Sequence, residues 1–398
     1  MKTKNYFLTL ILSAIFCTGI FAQNWVPQTS GTTQNLNSVY ATSTNNAFIV
    51  GNNGIGRKTI TSGVNWTNMT LPTDWSPTNT RNSVRFLNLT TGFTVGQGQE
   101  VSNTTTSGST WAFLGGGITN LYDCYFTSAS SGWVVGDIEV GYGFLYNQFT
   151  SNLIQIPAIA NKVLRGIYFA NSTTGWVVGD GGLVIKTING GTAWTQQISS
   201  TINQLNKVMF TDANNGIAVG NSGTILKTTD GSTWSSVTTS FTQNLKSVYY
   251  GSASEVWICG DQGLILHSIN GGNNWSQEVS NITENLNAIH GFGITDIWSC
   301  GNNGTIIYRS GTTSVFDLQL TTNISIYPNP CTGKFSVKGK SDIKTIEIYD
   351  VFGEKVYATS KFEQQKSNEV DLSDFPKGIY FVKIYDKQKF YTEKIVMQ

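Results

Sequence analysis

Residues 204–237 read QLNKVMFTDANNGIAVGNSGTILKTTDGSTWSSV. LNKVMF (205–210), GIAVG (216–220) and TILKTT (224–229) are short runs of alternating polarity, and a fourth run begins around Trp234. Asn221, Gly223, Asp230 and Gly231 lie between them. Short alternating runs separated by Gly, Asn and Asp read as hairpin strands. The stretch therefore predicts one four-stranded antiparallel unit.

The unit recurs. Its second strand ends on a large apolar residue, any residue, Val or Cys, then Gly. The copies are FIVG at Phe48–Gly51, FTVG at Phe93–Gly96, WVVG at Trp133–Gly136 and Trp176–Gly179, IAVG at Ile217–Gly220, WICG at Trp257–Gly260 and WSCG at Trp298–Gly301. The closing glycines lie 45, 40, 43, 41, 40 and 41 residues apart. A second mark, a Gly-containing turn followed by Trp, runs in phase with them and ends at Trp66, Trp111, Trp194, Trp234 and Trp275. Of 11 Trp, all but Trp75 fall at one of the two repeat positions when Trp25 is included, which reads as packing between units. Period and copy number predict an all-β chain whose residues 24–312 form a seven-bladed β-propeller. The last copy ends at IIYRSGTT (306–313) without a fourth strand, while NWVPQTS (24–30) is a fourth strand without a unit. Pairing the strand at Trp25 with Ile306–Tyr308 would satisfy both edges and close the last blade.

Two copies depart from the pattern. Blade three lacks the turn-plus-Trp mark over Phe144–Ile156 and carries an apparent loop, DIEVGYG (137–143). The connection into blade two, TNMTLPTDWSPTNTRN (67–82), is the longest of its kind. Binding surface tends to be built where a repeat is interrupted.

Formal charge is +1, which argues against nucleic acid or an anionic membrane as the main partner. Charge is uneven: residues 321–398 hold 12 Lys and 10 acidic residues out of 78, against 13 basic and 14 acidic in the preceding 320. The shift sets a linker at 313–322 and a second domain at 323–398, expected to be a small β-sandwich. At the other end, Lys2 and Lys4 precede an apolar run, Phe7–Phe21, and small Ala22, so residues 1–22 read as a secretory signal. Cys17 follows Phe16, where lipidation would require a small residue. No later segment is apolar enough to span a membrane. Cys124, Cys259, Cys300 and Cys331 show no metal-ligand spacing and read as buried apolar positions, and no cofactor motif is present.

The tail carries YPNP (327–330), IYDVFGEKV (348–356), LSDFPKGIYFVKI (372–384) and the terminal KIVMQ (394–398). In order and spacing these resemble the type A sorting domain of the type IX secretion system of Bacteroidetes. The resemblance implies export, engagement of the type IX machinery and its sortase, and a place outside the cell or on the outer-membrane surface of a Gram-negative bacterium. WVVGDGGLVIKTINGGTAW (176–194), VGNSGTILKTTDGSTW (219–234) and CGDQGLILHSINGGNNW (259–275) resemble the photosystem II assembly/stability-factor family, which is related to neuraminidase-type Asp-box repeats. That resemblance implies a seven-bladed propeller. An exported tail argues against a photosystem role. The Asp-box residue is Asn189, Asp230 or Asn270 here, and it is expected to cap a hairpin.

The connections into each inner strand and the turns after each closing glycine should open on one face, around the central channel. That face collects Asp74 and Trp75, Asp137, Glu139 and Tyr142, and the first inner-strand positions Asn37, Asn82, Tyr122, Arg165, Asn206, Lys246 and Asn287. Aromatic surface beside amides and carboxylates suits a glycan or a peptide, so Trp75, Asp74, Tyr122, Tyr142, Arg165 and Lys246 are the candidate ligand contacts. The Asn ring has a second reading, as caps on the strand ends. For catalysis, Asp137 and Glu139 are the weak candidates, with Asp74, Asp123 and Asp180 as possible partners in a two-carboxylate glycosidase. The five propeller arginines, Arg57, Arg81, Arg85, Arg165 and Arg309, form no recognisable carboxylate-binding cluster, and His267 and His290 read as repeat variants. Binding of a glycan, peptide or surface protein is the leading expectation. A glycoside hydrolase of the Asp-box type and a structural or adhesive surface component are the alternatives.

Overall fold

The computed structural model describes residues 25–72, 79–117, 119–139, 142–147, 152–310, 324–339, 343–350, 354–360, 367–385 and 390–398. The signal segment 1–22, the linker 313–322 and the residues Asp74 and Trp75 lie outside them. The chain divides into two compact units, Met1–Thr312 and Thr313–Gln398.

The first unit is all-β, with only single 3-10 turns between strands. Among the described residues, seven four-stranded antiparallel sheets lie between Val26 and Arg309. The stretch 204–237 forms strands Leu205–Phe210, Gly216–Gly220, Ile225–Thr228 and Ser235–Ser236, in that order across its sheet. Six sheets are continuous in sequence. The seventh combines Leu286–Phe292, Asp296–Gly301 and Ile306–Arg309 with Val26–Gln28 from the other end of the unit. Val26 pairs with Tyr308, Pro27 with Ile307 and Gln28 with Ile306. The two segments left without partners by the repeat thus share one ladder.

The closing glycine of each copy has a steric cause. A Cβ on Gly220 would lie 2.1 Å from the carbonyl oxygen of Gln204, and one on Gly96 would lie 2.0 Å from that of Thr80. The same oxygens accept the N–H of the following residue, Asn221 or Gln97, at 2.9 Å. Backbone meets backbone there, so only glycine fits. The inner strand is bulged opposite this contact: Leu205 pairs with Gly220 but Lys207 with Val219, leaving Asn206 unpaired.

The large residue of the second strand packs onto the next sheet. Phe48 stacks on Phe86, Phe93 on Phe126 and Trp176 on Phe210, with ring centroids 3.5–4.0 Å apart. Three of the Trp at the head of a fourth strand then reach back one sheet, while Trp194 Nε1 donates to Gly191 O in its own turn at 3.1 Å. Trp234 Nε1 donates to Gln197 Oε1 at 2.8 Å, Trp66 Nε1 to Gln28 Oε1 at 3.1 Å and Trp25 Nε1 to Glu278 Oε2 at 2.8 Å. All three acceptors stand three residues after the corresponding Trp of the preceding sheet. Where that position is Val237 or Met69, the indole N–H of Trp275 or Trp111 is buried without a partner. Trp25 therefore makes, from the other end of the unit, the contact that Trp66 and Trp234 make from within their own sheets. Asn189, Asp230 and Asn270 accept backbone N–H groups across the third-to-fourth-strand turns, as capping requires.

One expectation is corrected. Residues 137–139 and 142–143 are not loop: strands Ser131–Glu139 and Tyr142–Asn147 continue the hairpin, with Ile138 opposite Gly143 and Glu139 opposite Tyr142, while residues 140 and 141 lie outside the described residues. Polar residues and two glycines imitate a turn, yet they are compatible with an antiparallel pair that extends past its sheet. The four propeller-and-tail cysteines are buried and free.

In the second unit, Ile324–Tyr327, Lys334–Gly339 and Ser367–Asp371 form one sheet, and Thr345–Tyr349, Lys355–Thr359, Gly378–Tyr385 and Phe390–Met397 another. Phe335, Val337, Ile346, Ile348, Val370, Val382, Ile384 and Ile395 share a single core.

Three tests follow from the packing between sheets. Trp25 is 1% exposed, and Trp25→Ala is expected to cost about 3–5 kcal/mol in chemical denaturation. Val237→Gln should give Trp275 its acceptor and raise stability by about 1 kcal/mol. Burial pushes the Glu278 carboxyl up, but His267, Arg309 and Trp25 outweigh it and hold its pKa below the ordinary value. Its contribution is present above the unfolded carboxyl pKa and is lost as pH falls through the lower folded one. Acid unfolding should therefore be less steep in Glu278→Gln than in the native chain.

Candidate functional site

The bulge opposite each closing glycine turns one inner-strand residue out of the ladder. These are Asn37, Asn82, Tyr122, Arg165, Asn206, Lys246 and Asn287, and all seven line one cavity of about 140 Å³. Two kinds of contact fix them. Asn206 Nδ2 donates to Asn221 Oδ1 at 2.9 Å within its own sheet and to Leu245 O at 2.7 Å on the next. Asn37 does the same with Asn52 and Arg81 O, and Asn287 with Asn302 and Leu36 O. Asn82 donates to Leu121 O at 2.6 Å. The amides thus act as caps that tie one strand end to its neighbour.

The three non-Asn members are built differently. Tyr122 OH donates to Asp137 Oδ1 at 2.8 Å, and Asn120 Nδ2 donates to Asp137 Oδ2 at 2.8 Å. Burial, then the bond to Asp137, pushes the Tyr122 phenol up to about 12. The Arg165 guanidinium lies 5.3 Å from the Tyr122 ring centroid and donates through Nε to Asp180 at 2.9 Å. Lys246 faces Asp261 at 3.4 Å. Arg165, Asp180 and Lys246 each keep about a third of their side-chain surface open, at 28, 35 and 31%. The arc Asp137–Tyr122–Arg165–Asp180 therefore presents two carboxylates, a phenol ring and a guanidinium at one mouth of the cavity. Glu139 and Tyr142 face each other across the hairpin backbone, and their side chains lie outside the described residues.

Deeper in the cavity, Asp123 is 1% exposed. It accepts from Ser83 Oγ at 2.9 Å, Ile167 N at 3.1 Å and Lys207 Nζ at 2.8 Å. Lys207 belongs to the fifth inner strand and Asp123 to the third. The fourth strand has Gly166 at this level, so no side chain stands between them. Of the three carboxylates offered by the sequence as partners of Asp137, Asp123 and Asp180 are thus occupied by cations, and Asp74 lies outside the described residues.

Below this level the fifth residue of each inner strand forms a ring that sequence reasoning missed: Tyr40, Arg85, Tyr125, Tyr168, Met209, Tyr249 and His290. The signal was available, since six of the seven copies place an aromatic or cationic residue at this register. Arg85 Cζ lies 3.7 Å from the Tyr125 ring centroid, 5.5 Å from Tyr168 and 5.9 Å from Tyr40. His290 stacks on Tyr40 at 4.1 Å, and its Nδ1 accepts the Ala41 N–H at 3.2 Å. Burial, helped by the Arg85 and Lys207 charges, lowers the His290 pKa to about 3. Among the described residues no group of His, Cys, Asp and Glu is arranged to hold a metal ion.

Residues 325–398 match the secretion system C-terminal sorting domain. Residues 196–286 match the photosynthesis system II assembly factor YCF48. None of the curated proteins matches the sequence. Among solved structures, YCF48 bound to D1 peptide is similar at 21% identity and a TM-score of 0.60, over 73% of this chain and 96% of that one. YCF48 from Cyanidioschyzon merolae is similar at 16% and 0.59, over 72% and 99%. The WD40 β-propeller domain of Doa1 is similar at 13% and 0.57, over 73% and 98%. At these identities the likeness is one of fold. The sorting domain implies engagement of the type IX machinery and export by it. The chain is an all-β propeller protein that ends, at residues 325–398, in a secretion system C-terminal sorting domain.

Proposed function

We propose that the exported chain is a seven-bladed propeller, closed through its Trp25 strand and followed by a β-sandwich sorting domain, that binds a polar ligand outside the cell. The domain bounds are those read from the sequence: signal 1–22, propeller 24–312, linker 313–322 and sorting domain 323–398. The ligand is a glycan or a peptide held over the channel mouth at blades three and four. One observation carries this reading. The Asp137–Tyr122–Arg165–Asp180 arc departs from the Asn caps that fill the same register at Asn37, Asn82, Asn206 and Asn287, and its charged groups stay partly open to solvent. Glu139 and Tyr142 follow Asp137 in the same hairpin, and Asp74 and Trp75 belong to the long connection into the preceding blade; these four are its proposed outer contacts. Lys246 adds a cation across the mouth. The peptide alternative has separate support, because a structurally similar propeller has been solved with a peptide.

The glycosidase reading rests on Asp137 and Glu139. Both Asp137 oxygens already accept hydrogen bonds, which favours a positioning role over proton transfer. The test is retention of the secreted protein on glycan and peptide arrays. Arg165→Ala and Tyr122→Ala are expected to weaken retention by about tenfold or more, the loss typical of one charge-assisted contact or one aromatic contact. Asn206→Ala should leave it unchanged. Release of oligosaccharide that stops in Asp137→Asn would replace binding with hydrolysis. Retention untouched by Arg165→Ala and Tyr122→Ala would remove the mouth as the site.

A further inference from the structure

The ring below the mouth holds an imbalance of charge. Arg85 is enclosed by the inner strands, and part of its surface faces the cavity. A guanidinium stays charged at any pH the fold survives and carries five N–H donors. Among the described residues, no carboxylate, carbonyl or hydroxyl accepts a hydrogen bond from it. Its neighbours offer ring faces instead, those of Tyr125, Tyr168 and Tyr40. Stacking satisfies the faces of the guanidinium and leaves its N–H edges unpaired.

Among the described residues, Asp123 is the acid whose charge bears on Arg85, but it does not bond to it. Asp123, the nearest acid on the cavity wall, spends its oxygens on Ser83, Ile167 N–H and Lys207. The Lys207–Asp123 pair is neutral as a unit. His290 stays uncharged above acidic pH, because burial and the two nearby cations oppose its protonation. Arg85 therefore lies inside a protein wall with no carboxylate bonded to its N–H groups among the described residues, a state that leaves room for one to enter. The space exists as well: the cavity measures about 140 Å³, and one water needs roughly 10–15 Å³ on that measure.

We propose that the channel binds a small monocarboxylate, of the size of formate or acetate, on the N–H edge of Arg85. A carboxylate matches the guanidinium fork through two parallel hydrogen bonds, which a spherical halide cannot do. The methyl group of acetate would meet the aromatic wall rather than water. The site lies below the mouth and shares no proposed ligand contact with it, so it goes beyond the binding role proposed above.

The experiment uses the full secreted chain in sodium acetate, sodium formate or sodium chloride at matched ionic strength. Saturation-transfer NMR on the acetate methyl reports contact directly, and thermal unfolding reports linkage. Acetate is expected to show transfer and to raise Tm along a saturating curve that chloride does not reproduce. Arg85→Lys keeps the charge without the fork and should weaken acetate by about tenfold. Arg85→Met should abolish the effect, with circular dichroism checking that the sheets persist. Arg165→Ala, at the mouth, should retain the acetate response even where array binding is lost, so the two readings fail separately. Absence of transfer in the native chain, equal Tm shifts with acetate and chloride, or an undiminished response in folded Arg85→Met would each overturn the proposal.

Discussion

Everything in the propeller unit is referenced to one backbone contact. The carbonyl just before each inner strand touches the Cα of the closing glycine and accepts the next N–H, as Gln204 O does with Gly220 and Asn221. Because two backbones approach this closely, the inner strand cannot stay in register and bulges by one residue. The bulge aims residue 206 and its six counterparts at the cavity. It also brings them within reach of the residue after the glycine, which is why Asn206 meets Asn221 and Tyr122 meets Asp137. The chemistry of the mouth is thus a by-product of a packing constraint. Sequence change at two positions per copy converts a cap into a contact without disturbing the frame.

The second organising element is the tryptophan that reaches back one sheet. Its indole needs an acceptor at a fixed distance along the previous fourth strand. Gln197, Glu278 and Gln28 supply one, whereas Val237 and Met69 do not. The interfaces between sheets are therefore unequal in hydrogen bonding although alike in shape. The interface made by Trp25 is the most elaborate. Glu278 also accepts from His267 and faces Arg309, and His267 lies stacked on Trp257. Charge is concentrated where the chain must join its own beginning.

The repeat was legible because its marks, glycine at a backbone contact and tryptophan at a sheet interface, admit few substitutes. Strand ends were read to within a residue or two at Leu205–Phe210 and Gly216–Gly220. The third sheet misled for a physical reason: Asp137, Glu139, Gly141 and Gly143 have turn composition, and nothing local reveals that the partner strand continues beside them. The mouth was legible as a set of residues but not as a set of bonds. Only the fold shows that Asn37 and Asn287 are spent on caps while Arg165 remains partly open. The residue types of the Arg85 ring stand in the repeat, but its closeness does not, because its members are about forty residues apart. Its meaning depends on which groups bond to Arg85 across the cavity, which no single copy displays.

The strand Ile306–Arg309 is bonded on both edges, to Val26–Gln28 and to Asp296–Gly301. Among the described residues it is also the last strand of the first unit. Any pull on the sorting domain is therefore transmitted first to this strand, and through it to two hydrogen-bonded ladders at once. The outer ladder, to residues 26–28, is the shorter. Mechanically, the propeller is joined to its export handle through the same strip of backbone that fastens its two ends together.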